Sequence, residues 1–270
     1  MREKEFFQIK LSEFAKSLGD FISSEDGSWN VKGFIDTFKN IYTISSDTKV
    51  ISKILELNLF PYFLDFAKSI DYSIELPRFQ NYYPDLTFIS NKNKDIKFAV
   101  DLKTTYFNEN RKGYCNGFTL GSHGNYFVNR YSSKNIQYPY SLYSAHFCLG
   151  VIYGRKVLTS EFESEKYSVD EIYSIPSVIN NFIFFASEKW KIASDKRGSG
   201  NTANIGSIKK IDDILNEKGV FSKAGEHIFD DYWSNYGKIQ IEIENGKRKP
   251  MTSFNEYIIY RGLPDSMKVV

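Results

Sequence analysis

Apolar positions change their period along the chain, and the changes mark out elements. Between Leu11 and Phe21 they recur at helical spacing, which predicts a short amphipathic helix. Val31 to Ile44 reads as a hairpin. Ser46 is placed to cap a second helix carrying Val50, Ile51, Ile54, Leu55 and Leu57. Pro61 is expected to kink or end that helix, with Phe60, Phe63, Leu64 and Phe66 continuing an apolar face. The period then shortens. Tyr72–Phe79, Leu86–Ser90 and Ile96–Tyr106 are rich in β-branched and aromatic residues and predict strands. Between the last two, Asn91-Lys92-Asn93-Lys94-Asp95 is turn chemistry. Helical patterns return near Ile208–Glu217, Glu226–Tyr236 and Ser253–Tyr260. A helix, consecutive strands and later helices predict an α/β (α+β) fold, a central mixed β-sheet flanked by helices. No repeat, low-complexity tract or Gly/Pro-rich linker divides the chain, so residues 1–270 read as a single domain with its most legible core at about 46–155.

Composition narrows the class. Aromatics reach 17% of 270 residues, enough for a sizeable core and against disorder. No apolar run has the length of a membrane span, which takes roughly 18 residues, so no membrane is expected. The N-terminus mixes both charge signs and lacks a signal-peptide apolar region, which fits a cytoplasmic protein. Two cysteines, Cys115 and Cys148, exclude a disulfide scaffold and a four-cysteine zinc site. Net charge is only +2, yet it is uneven: residues 102–135 carry five Lys/Arg and one Glu, and residues 187–210 carry six Lys/Arg and two acids. Such windows concentrate positive charge locally instead of coating a polyanion through bulk charge.

The turn at 91–95 makes a geometric prediction. Ser90 faces Ile96, and counting back along both strands sets Asp85 opposite Asp101. Directly opposed residues share a face with Cβ atoms roughly 5 Å apart, and like charges there are destabilising. A divalent cation relieves that repulsion, and hard oxygen ligands suit Mg²⁺. Lys103, two residues beyond Asp101, shares the face and is placed to serve a water. This is equipment for metal-assisted phosphodiester hydrolysis. Asp-x-Lys alone is common, however, and a one-residue slip of register would separate the carboxylates. Glu56, within Ile54-Leu55-Glu56-Leu57, either seeks a charged partner or metal among core positions or sits on a solvated helix face.

Several strings in order resemble the EcoRV-type restriction endonucleases, of the Pro-Asp…Asp-x-Lys nuclease superfamily. They are Ser46-Asp47-Thr48-Lys49-Val50 with Glu56-Leu57, then Gln80-Asn81-Tyr82-Tyr83-Pro84-Asp85, then Asp101-Leu102-Lys103-Thr104-Thr105-Tyr106. Phe118-Thr119-Leu120-Gly121, Lys134-Asn135-Ile136, Tyr138-Pro139, Gly198-Ser199-Gly200-Asn201-Thr202, Asn204-Ile205-Gly206-Ser207, Asp231-Tyr232-Trp233 and Tyr260-Arg261-Gly262 follow collinearly. The resemblance implies a homodimer with a cleft around double-stranded DNA. Asp85 and Asp101 match its metal carboxylates, Lys103 its catalytic lysine and Glu56 a further acid with an accessory metal role; residues 31–43 match a dimerisation element. It also implies cleavage of GATATC at its centre, leaving blunt ends and 5′-phosphates. A host would protect its own sites with a cognate DNA methyltransferase, with no direct binding between the two implied.

The loop at about 197–207 has a physical reading of its own. Glycines let a backbone approach base edges closely, the Asn201 amide suits adenine, and the Thr202 methyl suits a thymine methyl. A plain Gly/Ser/Asn surface turn is the bland alternative. By resemblance Gly198, Ser199, Gly200, Asn201, Thr202 and Asn204 face DNA, Gln80 and Asn81 approach from the minor-groove side, and Thr104 also meets DNA. Tyr82, Ala203 and residues 108–116, 122–125 and 238–252 depart from the family pattern. His146, in Ala145-His146-Phe147-Cys148-Leu149, reads as packed, as do Tyr138, Tyr140 and Tyr143. Two other functions share features with this set: a structure-selective repair or junction nuclease, and a catalytically silent DNA-binding module.

Overall fold

The structure, a computed structural model, describes residues 2–156, 165–200, 203–243 and 246–268. In chain order the elements are α1 (Glu3–Ile22), β1 (Gly33–Ile35), β2 (Asn40–Thr43), α2 (Thr48–Ser69), β3 (Tyr72–Glu75), β4 (Leu86–Ser90), β5 (Lys97–Tyr106), β6 (Thr119–Ser122), β7 (Ala145–Arg155), β8 (Lys166–Ser168) and β9 (Ile179–Glu188). There follow α3 (Lys189–Ile192), β10 (Ala193–Arg197), β11 (Asn204–Ser207), α4 (Ile211–Leu215), α5 (Glu226–Asn235), β12 (Gln240–Glu242), β13 (Arg248–Pro250) and α6 (Phe254–Arg261). The largest sheet has the order β3-β4-β5-β7-β9, giving the mixed α+β class that the patterning predicts. Among the described residues no helix is long and apolar enough to cross a membrane.

The backbone groups into two compact units. One comprises Met1–Ile74, Leu102–Asn116 and Leu149–Ala186; the other comprises Glu75–Asp101, Gly117–Cys148 and Ser187–Val270. The boundary falls within β3, β5, β7 and β9.

In the first unit, α1 buries Phe7, Leu11, Ala15, Leu18 and Ile22, a stripe at helical spacing. Phe14 stacks on Phe66 of α2 with ring centroids 4.4 Å apart. The helix starts at Glu3, earlier than its apolar stripe suggests, because polar first-turn residues carry no periodic signal. The cap of α2 is Asp47, not Ser46: its carboxylate accepts the N–H groups of Lys49 and Val50 at 2.9 and 3.1 Å. Pro61 neither ends nor interrupts α2, which continues to Ser69. Pro61 and Leu57 both lie on the exposed face, so water reaches the Leu57 carbonyl that the proline leaves unpaired. The expected hairpin is present as antiparallel β1 and β2, joined at their other side by β8.

In the second unit, β4 is buried at every position, as a strand covered on both faces should be. β10, β11 and β6 form a separate antiparallel sheet. Phe221, Tyr232, Phe254 and Tyr257 build an aromatic core in which α5 and α6 pack. α4 is shorter than its pattern, and β3 stops two residues before Pro77, which has no N–H for a ladder.

Candidate active site

The β4–β5 register pairs Leu86 with Val100, Thr87 with Ala99 and Phe88 with Phe98. One step further brings Asp85 opposite Asp101, and the Asp85 N–H donates to Asp101 Oδ1 at 3.2 Å. The Asp101 carboxylate is buried, and its second oxygen receives the Lys189 ammonium at 2.7 Å. That ammonium also lies 4.1 Å from the centroid of the Tyr83 ring. Tyr83 in turn shares a 2.7 Å hydrogen bond with His146 Nδ1 and stacks near Tyr126 and Tyr140. Burial, and next the Asp101 charge, pushes the Tyr83 hydroxyl well above its ordinary pKa. Burial, and next the charge on Lys189, holds His146 well below its own, so the imidazole is neutral. Buried Tyr140 and Tyr143 complete this aromatic wall, Tyr143 hydrogen-bonded to Thr87 at 3.0 Å.

The other expected catalytic residues belong to the first unit. Lys103 is half-buried at the same parity of β5 as Asp101. Thr104 has the opposite parity, and its hydroxyl is hydrogen-bonded to Ser52 of α2. Glu56 lies on a solvated helix position: its side chain is 41% exposed and is paired with Lys53 at 2.8 Å.

β10 and β11 form the hairpin whose turn was read as a DNA-facing loop, closed by Gly198 N–H donating to the Asn204 carbonyl at 2.9 Å. Gly200 has φ +87°, a conformation that side chains resist. Ser199 is exposed, and its carbonyl accepts the Asn204 amide at 2.7 Å, so Asn204 braces the turn from within. Asn201 and Thr202 lie outside the described residues. Gln80 and Asn81 are exposed on the β3–β4 connection.

Residues 25–262 match the family described as restriction endonuclease EcoRV. The chain belongs to this family. It is also 38% identical over 239 residues to the type II restriction enzyme EcoRV of Escherichia coli, covering 88% of this chain and 94% of that protein. It is therefore an EcoRV-like type II restriction endonuclease, a hydrolase whose substrate is double-stranded DNA.

Enzymes of this kind are generally dependent on a divalent metal, and the carboxylates of Asp85 and Asp101 offer the hard oxygen donors such a metal takes. Among the described residues no group of three or more His, Cys, Asp or Glu side chains could hold a metal ion. Mg²⁺ does not need one, because it is usually held by one or two carboxylates together with waters and substrate phosphate oxygens. The ammonium seated on Asp101 marks the same spot as cation-accepting. Sequence reasoning missed Lys189. It follows the apolar run Phe184-Phe185-Ala186 and opens the one-turn helix α3, where a lone lysine has no periodic signature. It also gave Tyr83 no role beyond the family string, although that ring lies against the ammonium.

Proposed function

We propose that this EcoRV-family enzyme is a Mg²⁺-dependent homodimer that cuts GATATC at its centre, leaving blunt ends with 5′-phosphates. The observation that carries the reading is the β4–β5 register, which aligns Asp85 with a buried Asp101 whose carboxylate already accepts a cation. Asp85 and Asp101 would hold the metal and Glu56 would assist. Bound there, Mg²⁺ supplies Lewis acidity toward the phosphate and lowers the pKa of water. Lys103 serves the attacking water, orienting it toward phosphorus or, as the neutral amine, taking its proton. Water attacks phosphorus in line, and the bond to the 3′-oxygen breaks, so the phosphate stays on the 5′ side. Burial of Asp101 and its anchorage by the Asp85 N–H fix the carboxylate before substrate arrives.

Specificity belongs, in this reading, to the loop Gly198-Ser199-Gly200-Asn201-Thr202 with Asn204, to Gln80 and Asn81 on the minor-groove side, and to Thr104. The exposed Ser199 and the positive φ of Gly200 support close approach of backbone to base edges. The central TA step needs no contact, since such steps unstack easily and bending selects them energetically. Residues 31–43 serve the dimer, and a host methyltransferase protects its own sites without binding this enzyme. The test is to digest plasmid DNA of known sequence in Mg²⁺ and to sequence the ends. Blunt ends at the centre of GATATC are expected from the wild type, and no ends from Asp101→Asn. Ends scattered over the plasmid would sink the reading, while a different fixed palindrome would correct only the site.

A further inference from the structure

We propose that Lys189 is a resident counter-cation of Asp101, which a divalent metal must displace, and so sets how weakly the DNA-free enzyme holds metal. The proposal rests on the assignment of Asp85 and Asp101 as metal carboxylates. Its geometry is independent of that assignment. Lys189 Nζ lies 2.7 Å from Asp101 Oδ2, with side chains only 8% and 4% exposed. At that depth neither charge is screened by water, and each would be costly alone. An ammonium and a divalent cation cannot share one carboxylate oxygen without strong repulsion at a few ångströms. Asp101 therefore exchanges one cation for the other.

The seat of the ammonium is built. The Tyr83 ring covers it at 4.1 Å, two residues before Asp85 in the chain. Gly121 borders it on another side: a Cβ there would stand in ordinary contact, 3.5 Å from Nζ, and its φ of +120° disfavours any side chain. The one-turn helix that carries Lys189 is itself pinned. Lys191 pairs with Glu217 at 2.9 Å and its carbonyl accepts the Gly219 N–H at 2.7 Å. The Trp190 indole N–H donates to Glu188 at 3.1 Å. Lys189 is thus a positioning residue. It holds the Asp101 carboxylate in place while no metal is bound, and it competes when metal arrives.

The test is calorimetric titration of Mn²⁺ into DNA-free wild type, Lys189→Met, Lys189→Arg and Lys189→Met/Asp101→Asn, with melting temperatures taken in chelator and in Mn²⁺. Lys189→Met should bind at least tenfold tighter than wild type, and Lys189→Arg, which keeps the cation, should stay near it. The double variant should lose the gain. In chelator Lys189→Met should melt below wild type, and Mn²⁺ should raise its melting temperature more than it raises that of wild type. If Lys189→Met proves too unstable to purify, Lys189→Gln carries the same comparison. Equal Mn²⁺ affinity in wild type and Lys189→Met, with binding still abolished in the double variant, would overturn the competition and leave the metal assignment standing. Mn²⁺ binding that ignores Asp101 in every variant would bring down both.

Discussion

His146 is the residue whose chemistry the fold alters most plainly in a measurable direction. It is buried against Tyr140, with ring centroids 3.7 Å apart, and hydrogen-bonded to Tyr83 at 2.7 Å. Burial first, then the charge on Lys189, depresses its pKa well below the ordinary 6.5. Below pH 6.5 the unfolded chain takes up a proton at this histidine while the folded chain does not. The contribution of the neutral ring to stability is therefore complete above pH 6.5 and declines as pH falls from there toward the folded pKa. The decline has a limit of about 1.4 kcal/mol per pH unit, one proton's worth. His146→Gln removes the imidazole and keeps a polar group for Tyr83. Its melting temperature should fall less steeply than that of wild type between pH 6.5 and pH 5, and parallel curves would show that His146 is not the group responsible. The same buried setting explains why Asp101→Asn, not Asp101→Ala, is the informative cleavage variant. The amide keeps an acceptor beside Lys189, where alanine leaves the ammonium with nothing at that position.

Helix α2 shows what element-scale reasoning recovers and what it misses. Of its expected apolar positions Ile51, Ile54, Leu55, Phe63 and Phe66 are buried, while Val50, Leu57 and Leu64 are exposed, because spacing marks a helix but not the width of its covered face. Its cap lies one residue beyond the expected Ser46 because Ser46 and Asp47 have equal capping chemistry, and only the backbone decides which carboxylate or hydroxyl meets the free N–H groups. Pro61 does not break the helix because its effect depends on which side faces water, a tertiary fact. Asp47→Ala should destabilise the protein by about 1 kcal/mol, the usual value of such a cap, read as a drop in the urea midpoint with an unchanged slope. No loss would mean that Ser46 takes over. The β4–β5 hairpin was legible because its turn residues and its alternation agree, so local chemistry sets which residues oppose each other. Lys189 was not legible, since it reaches Asp101 from 88 residues away and no periodicity encodes that distance.

At the scale of the whole molecule, the question is what covers β1 and β2. β1 is an edge strand, in the order β1-β2-β8. Phe34 and Tyr42 oppose each other across the pair and are 54% and 46% exposed, while Ile35 is 64% and Phe38 84% exposed. An exposed edge that is also this apolar invites association with another chain, and proteins that leave such edges free normally blunt them with charge. A second copy is the occupant that fits the proposed palindromic site. A two-fold dimer uses one surface patch twice and sets each protomer's reading loop over one half-site. Phe38→Asp puts a charge at the most exposed large apolar residue of the ribbon and leaves the buried Ile41 alone. In sedimentation at micromolar concentration it should run as a monomer where wild type runs as a dimer. Its cleavage of GATATC should fall at dilute enzyme and recover in part at high concentration, as mass action requires. A Phe38→Asp protein that sediments and cuts like wild type would move the dimer contact away from residues 31–43.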